Sequence, residues 1–65
     1  MGMFFEYQGS FFNPQYAVKV GGIGAMGHGS FMFTVVFVDI GKQNFVYPSH
    51  AEAEAALRRF VNGKS

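Results

Sequence analysis

Residues 22–27, Gly-Ile-Gly-Ala-Met-Gly, carry the spacing G-x-G-x-x-G. In dinucleotide-binding turns those glycines let the backbone approach a pyrophosphate at the N-terminus of the helix that follows. Here the following segment, residues 31–40, is dense in Phe and Val and alternates as a strand does, so the required helix is missing. The nearest acid, Asp39, comes 12 residues after Gly27, and 65 residues are too few for a doubly wound sheet. Residues 21–29, with five glycines in nine positions, therefore read as a mobile hairpin loop, and no cofactor is expected.

His28 in that loop and His50 near a helix start could each bind metal or move protons near neutral pH. Without cysteine, a metal would need both histidines and carboxylates such as Glu52 or Glu54, yet their spacing resembles no ligand pair. Ser10, Ser30, Ser49 and Ser65 fall at turns, a cap and the terminus, where local hydrogen bonding favours serine. No nucleophile has a base nearby in sequence and no carboxylate pair stands out. Neither a catalytic residue nor a metal site is expected, and the chain does not read as an enzyme.

Aromatic rings are the other chemistry on offer, since the chain holds nine Phe and three Tyr. Tyr7, Tyr16, Phe33, Phe37, Phe45 and Tyr47 could form a platform on which the bases of single-stranded nucleic acid stack. Such platforms sit in basic grooves, because phosphate neutralisation supplies much of the affinity. This chain balances five Lys and Arg against four Asp and Glu, a net charge of +1. Lys19 is the one basic residue in its strands, with Lys42 in a turn and Arg58 and Arg59 on the helix. Core packing is the favoured reading of the rings, and nucleic-acid binding the alternative.

The elements that must position these residues follow from periodicity and turn chemistry. Residues 3–8 form a short first strand, closed by Gly9-Ser10 and the turn-like Asn13-Pro14. Residues 16–20 form a second, with Tyr16, Val18 and Val20 on one face and Ala17 and Lys19 on the other, the wetter one. Residues 31–40 are the clearest strand. Gly41-Lys42 reads as a two-residue turn joining it to residues 43–47. That turn sets Ile40 opposite Gln43, Val38 opposite Phe45, Phe37 opposite Val46, Asp39 opposite Asn44 and Val36 opposite Tyr47.

Ser49 and Glu52 have the spacing of a capping box opening a helix. Its apolar face is Ala53, Ala56, Leu57, Phe60 and Val61, Glu54 and Arg58 form an ion pair on the far side, and Gly63 ends it. The run 41–49 into the Ala-rich helix resembles the strand-then-helix end of small DNA-binding domains built on a sheet. It lacks the basic strands those domains use, and it assigns no family. The expected fold is α+β: a four-stranded antiparallel β-sheet followed by one C-terminal α-helix (β-β-β-β-α), in two layers and one domain over residues 1–65. Met1-Gly2 ahead of Met3 reads as a cloning remnant.

A domain this small buries only about 60% of the surface its unfolded chain exposes. The charged fraction is 14%, well below the roughly 25% of an average soluble domain. No apolar run approaches the ~20 residues of a membrane span, and the N-terminus lacks the basic region of a signal peptide, so no membrane and a cytoplasmic setting are expected.

Both faces of the long strand are apolar: Phe31, Phe33, Val35 and Phe37 on one, Met32, Thr34, Val36, Val38 and Ile40 on the other. One helix covers one face. The second would be covered by the N-terminal segment with Phe11 and Phe12, by a second copy, or by a different partner. The expectation is a Phe-rich face turned outward, with Phe31, Phe33 and Phe37 at a homodimer or partner interface. The chain is thus read as a non-enzymatic interaction module, homodimeric, that binds a protein partner through an apolar sheet face or the Gly-rich loop.

Overall fold

A computed structural model of the chain describes residues 4–64, so the proposed start at Met3 lies outside the described residues. Strands β1 (Phe5–Tyr7) and β2 (Ser10–Phe12) form an antiparallel hairpin of their own. A 3-10 turn, Pro14–Tyr16, leads to β3 (Ala17–Val20), β4 (Gly24–Gly27), β5 (Ser30–Phe37), β6 (Gly41–Tyr47) and the helix α1 (His50–Lys64). The α+β class and the C-terminal helix are as expected. The single four-stranded sheet is not: there are two sheets, of two and four strands.

The extra hairpin arises because Gln8 and Gly9 both adopt left-handed backbone, φ 51° and 83°, as a two-residue primed turn requires. His28 and Gly29 do the same, φ 55° and 77°, and join β4 to β5. The Gly-rich run read as a loop thus contains a strand. It is tolerated there because β4 lies exposed along one side of β5, where glycine and few packed side chains cost least.

In the larger sheet β5 is central. It pairs with β6 along one side, and with β3 and then β4 along the other. The β5–β6 register differs from expectation: Phe33 lies opposite Phe45, Thr34 opposite Asn44, Val36 opposite Lys42 and Phe37 opposite Gly41. Val38, Asp39 and Ile40 make the connection, and Gly41 (φ 81°) takes up the left-handed conformation after it. Reading glycine as the first turn residue rather than the last moved the pairing by an odd number of positions, which inverts the face assigned to β6 relative to β5.

The inner face of the sheet carries the core. Phe33, Val35, Phe37 and Phe45 pack with Phe5, Ala17, Ala56 and Phe60. Rings interlock edge to face, Phe5 against Phe45 at 5.3 Å and against Phe60 at 5.2 Å, Tyr7 against Phe45 at 4.9 Å. Each such pair contributes about 0.5–1.5 kcal/mol beyond the area it buries. Helix and N-terminal hairpin therefore share one face of the sheet, and Phe5, Tyr7 and Phe12 complete the cover while Phe11 points into solvent.

On α1 the Ser49 hydroxyl accepts the Glu52 backbone N–H at 3.2 Å, the expected cap. Ala53, Ala56 and Phe60 are buried, Leu57 is half-buried, but Val61 is exposed. Arg58 and Glu54 pair at 3.4 Å in the open, where such pairs contribute little. Gly63 falls within the last turn rather than after it.

Candidate interaction surface

The structure brings the three expected interface residues to the wrong side for docking. Phe33 and Phe37 are 1% and 3% exposed, inside the chain's own core. Phe31 is half-buried, its ring 5.5 Å from that of His50 at the helix start. The expectation of an outward Phe-rich face is corrected: aromatic bulk was more strongly recruited to the one face where helix and hairpin could both reach it. The same packing disposes of the aromatic platform, since Phe33, Phe37 and Phe45 are buried and Tyr7 and Tyr47 half-buried against them. Burial raises the Tyr47 phenol above its ordinary value, partly offset by the Arg59 charge and reinforced slightly by Tyr7. Tyr16 alone of the six rings is exposed.

The G-x-G-x-x-G run does not form a phosphate turn. Its last four residues are β4, followed by a hairpin turn and another strand. His28 occupies that turn and His50 the start of α1 at the same end of the sheet, against the Phe31 ring. Among the described residues no group of three or more His, Asp or Glu is gathered as a metal would require, and no helix is long and apolar enough to cross a membrane.

What remains open is the outer face of the larger sheet, over which no described element packs. Cross-strand partners share a face, so the pairings place Lys19, Val36 and Lys42 in one row, with Thr34 beside Asn44 and Met32 beside Val46 in the next two. Met32, Thr34, Val36 and Val46 are half-buried and both lysines exposed.

A bulge makes the row possible. Strict alternation from the buried Ala17 would turn Lys19 inward, but the register slips between Ala17 and Lys19, leaving Val18 as the extra residue. Lys19 is thereby re-aimed outward and Val20 inward opposite Val35, a known use of bulges. The alternation expected for this strand, with Val20 on the face of Val18, is corrected accordingly.

Beside that row the chain runs through Gly21 and Gly22, which belong to no strand. The Gly21 N–H donates to the Thr34 carbonyl at 2.8 Å, and a Cβ on Gly21 would stand 3.3 Å from that oxygen, so a side chain would be crowded there. The result is an open depression of about 400 Å³ lined by Lys19, Gly21, Gly22, Thr34, Val36 and Lys42. At its floor the Thr34 hydroxyl donates to Asn44 Oδ1 at 2.9 Å.

A second depression, about 410 Å³, lies between the N-terminal hairpin and the end of α1. Its charges, Glu6 and Arg59, are of both signs, and Arg59 already sits 6.0 Å over the Phe5 ring. Sequence reasoning missed the outer row because Lys19 and Lys42 are 23 positions apart and meet only through a bulge and a register that strand alternation does not reveal. No family model, curated protein or solved structure matches this chain.

Proposed function

We propose that this chain is a non-enzymatic interaction module that binds a protein partner through the outer face of its larger sheet. The observation that supports it is the difference in cover: the inner face carries a helix and a hairpin, the outer face nothing among the described residues, although Met32, Val36 and Val46 place apolar side chains on it either side of the Thr34–Asn44 pair. Surfaces of this kind mark interaction sites. Phe31, Phe33 and Phe37 do not serve in this reading, and neither does a homodimer sealed through them. A face bearing two cations is also poorly suited to meet a copy of itself, so a partner of different composition is favoured.

The test is affinity capture from an extract of the source cells, comparing the parent chain with Val36→Asp on the face and Val38→Asp off it. Val38 is 71% exposed in the β5–β6 connection. A partner retained by Val38→Asp and lost by Val36→Asp supports the reading. Equal capture by both variants sinks it.

A further inference from the structure

We infer that the partner presents an acidic, extended segment whose carboxylates meet Lys19 and Lys42 while an apolar side chain between them rests on Val36. This deepens the reading above and rests on it. The argument is charge complementarity. The two lysines flank Val36 in a single cross-strand row, each one strand away from it, so their Cα atoms stand roughly 10 Å apart at ordinary strand spacing. No described carboxylate pairs with either lysine. Glu6 is on the N-terminal hairpin, Asp39 in the connection beyond the sheet's end, and Glu52 and Glu54 on α1, which packs on the opposite face.

The fold goes out of its way to assemble this row, because without the bulge at Val18 one of its cations would face the core. Two ammonium groups on one face, without a carboxylate to offset them, attract an anionic partner and steer its approach. Between them lies Val36, the polar Thr34–Asn44 pair forms the next row, and Met32 and Val46 the row beyond, so apolar and polar rows alternate along the face. That pattern suits a polypeptide alternating acidic and apolar side chains better than a nucleic-acid backbone, which would need cations along its whole track. The depression is open and at the low end of the range for ligand pockets, roughly 300–1,000 Å³. It suits a segment laid across it rather than a molecule engulfed by it. Nothing lies within 4 Å of where a Cβ on Gly22 would stand, so the edge of the sheet is open there for such a segment to cross.

The probe is the acetylated, amidated peptide Glu-Asp-Val-Glu-Asp-Leu-Glu, titrated into the ¹⁵N-labelled full chain at low salt. The expected result is a saturable set of amide shifts at Lys19, Thr34, Val36, Lys42 and Asn44. The double variant Lys19→Glu with Lys42→Glu, both sites exposed, is expected to keep the parent spectrum elsewhere and lose about tenfold in affinity, two weak surface ion pairs' worth. The same peptide with Gln and Asn for Glu and Asp should bind no better than that variant. Shifts that ignore the lysine changes overturn the inference, and so does tighter binding of single-stranded or duplex oligonucleotides than of the peptide. If the captured partner is lost by Val36→Asp but kept by the double lysine variant, the acidic segment is wrong and the interaction face stands. If Val36→Asp changes nothing, both fall.

Discussion

Neighbouring residues of β5 live in different worlds. Val35 is fully buried beneath the helix and hairpin, whereas Val36, one position on, is half-buried on the uncovered face between two lysines. The same residue type serves as core on one face and as a candidate contact on the other, and only the pleat separates them. Hydrophobicity of a strand therefore says little about which side is spent on folding. What decides it is where bulky partners can be delivered from elsewhere in the chain, here Phe5, Phe12 and Phe60.

The sharpest way to break the contrast is at its aromatic centre. Phe45 is fully buried and touches Phe5, Tyr7, Phe12, Phe33 and Phe60. Phe45→Ala is expected to cost about 3–5 kcal/mol, enough to unfold a domain of this size at room temperature, as read by loss of amide dispersion in the NMR spectrum. Next comes a matched pair. Val35→Thr puts a hydroxyl into the core and should cost about 1–3 kcal/mol, while Val36→Thr should stay within about 0.5 kcal/mol of the parent. Urea denaturation of the two side by side tests the comparison directly, and equal losses would erase it.

The hairpin that completes the inner face gives a smaller effect. The Tyr7 hydroxyl accepts the Val46 N–H at 2.9 Å on the outer edge of β6. Removing it with Tyr7→Phe should cost about 1 kcal/mol in the same denaturation assay, with the ring packing kept.

The smallest effect is alkaline. Burial holds the Tyr47 proton above its ordinary 10.0 in the folded chain, so as pH rises past that value the unfolded chain loses the proton first. Stability then declines with rising pH. Tyr47→Phe should show a shallower fall in melting temperature above pH 10 than the parent, and identical slopes would refute the assignment.

Several parts of this architecture were legible in the residues. The helix announced itself through Ser49 and Glu52 and the Ala53, Ala56, Phe60 spacing, and β5 through its Phe and Val content. Three things were not. The turns at Gln8-Gly9 and His28-Gly29 place Gln and His where Asn or Asp usually stand, so the hairpins they close gave only a faint signal. The connection at Gly41 admits glycine as its first or its last special residue, and the two choices give opposite facing for β6. The bulge at Val18 leaves no local mark, yet it alone determines that Lys19 joins the candidate face. Each omission concerns register, which long-range packing arbitrates and local pattern does not.

The phenol of Tyr7 has a consequence beyond its own bond. A strand at the rim of a sheet offers unpaired amides and carbonyls to any passing chain, and on β6 the pair at Val46 is occupied by a side chain delivered from the other end of the polypeptide. The hairpin of β1 and β2 thus acts as a latch. Without that hairpin, with its rings Phe5, Tyr7 and Phe12, the rim of β6 at Val46 would offer its N–H and carbonyl to another strand.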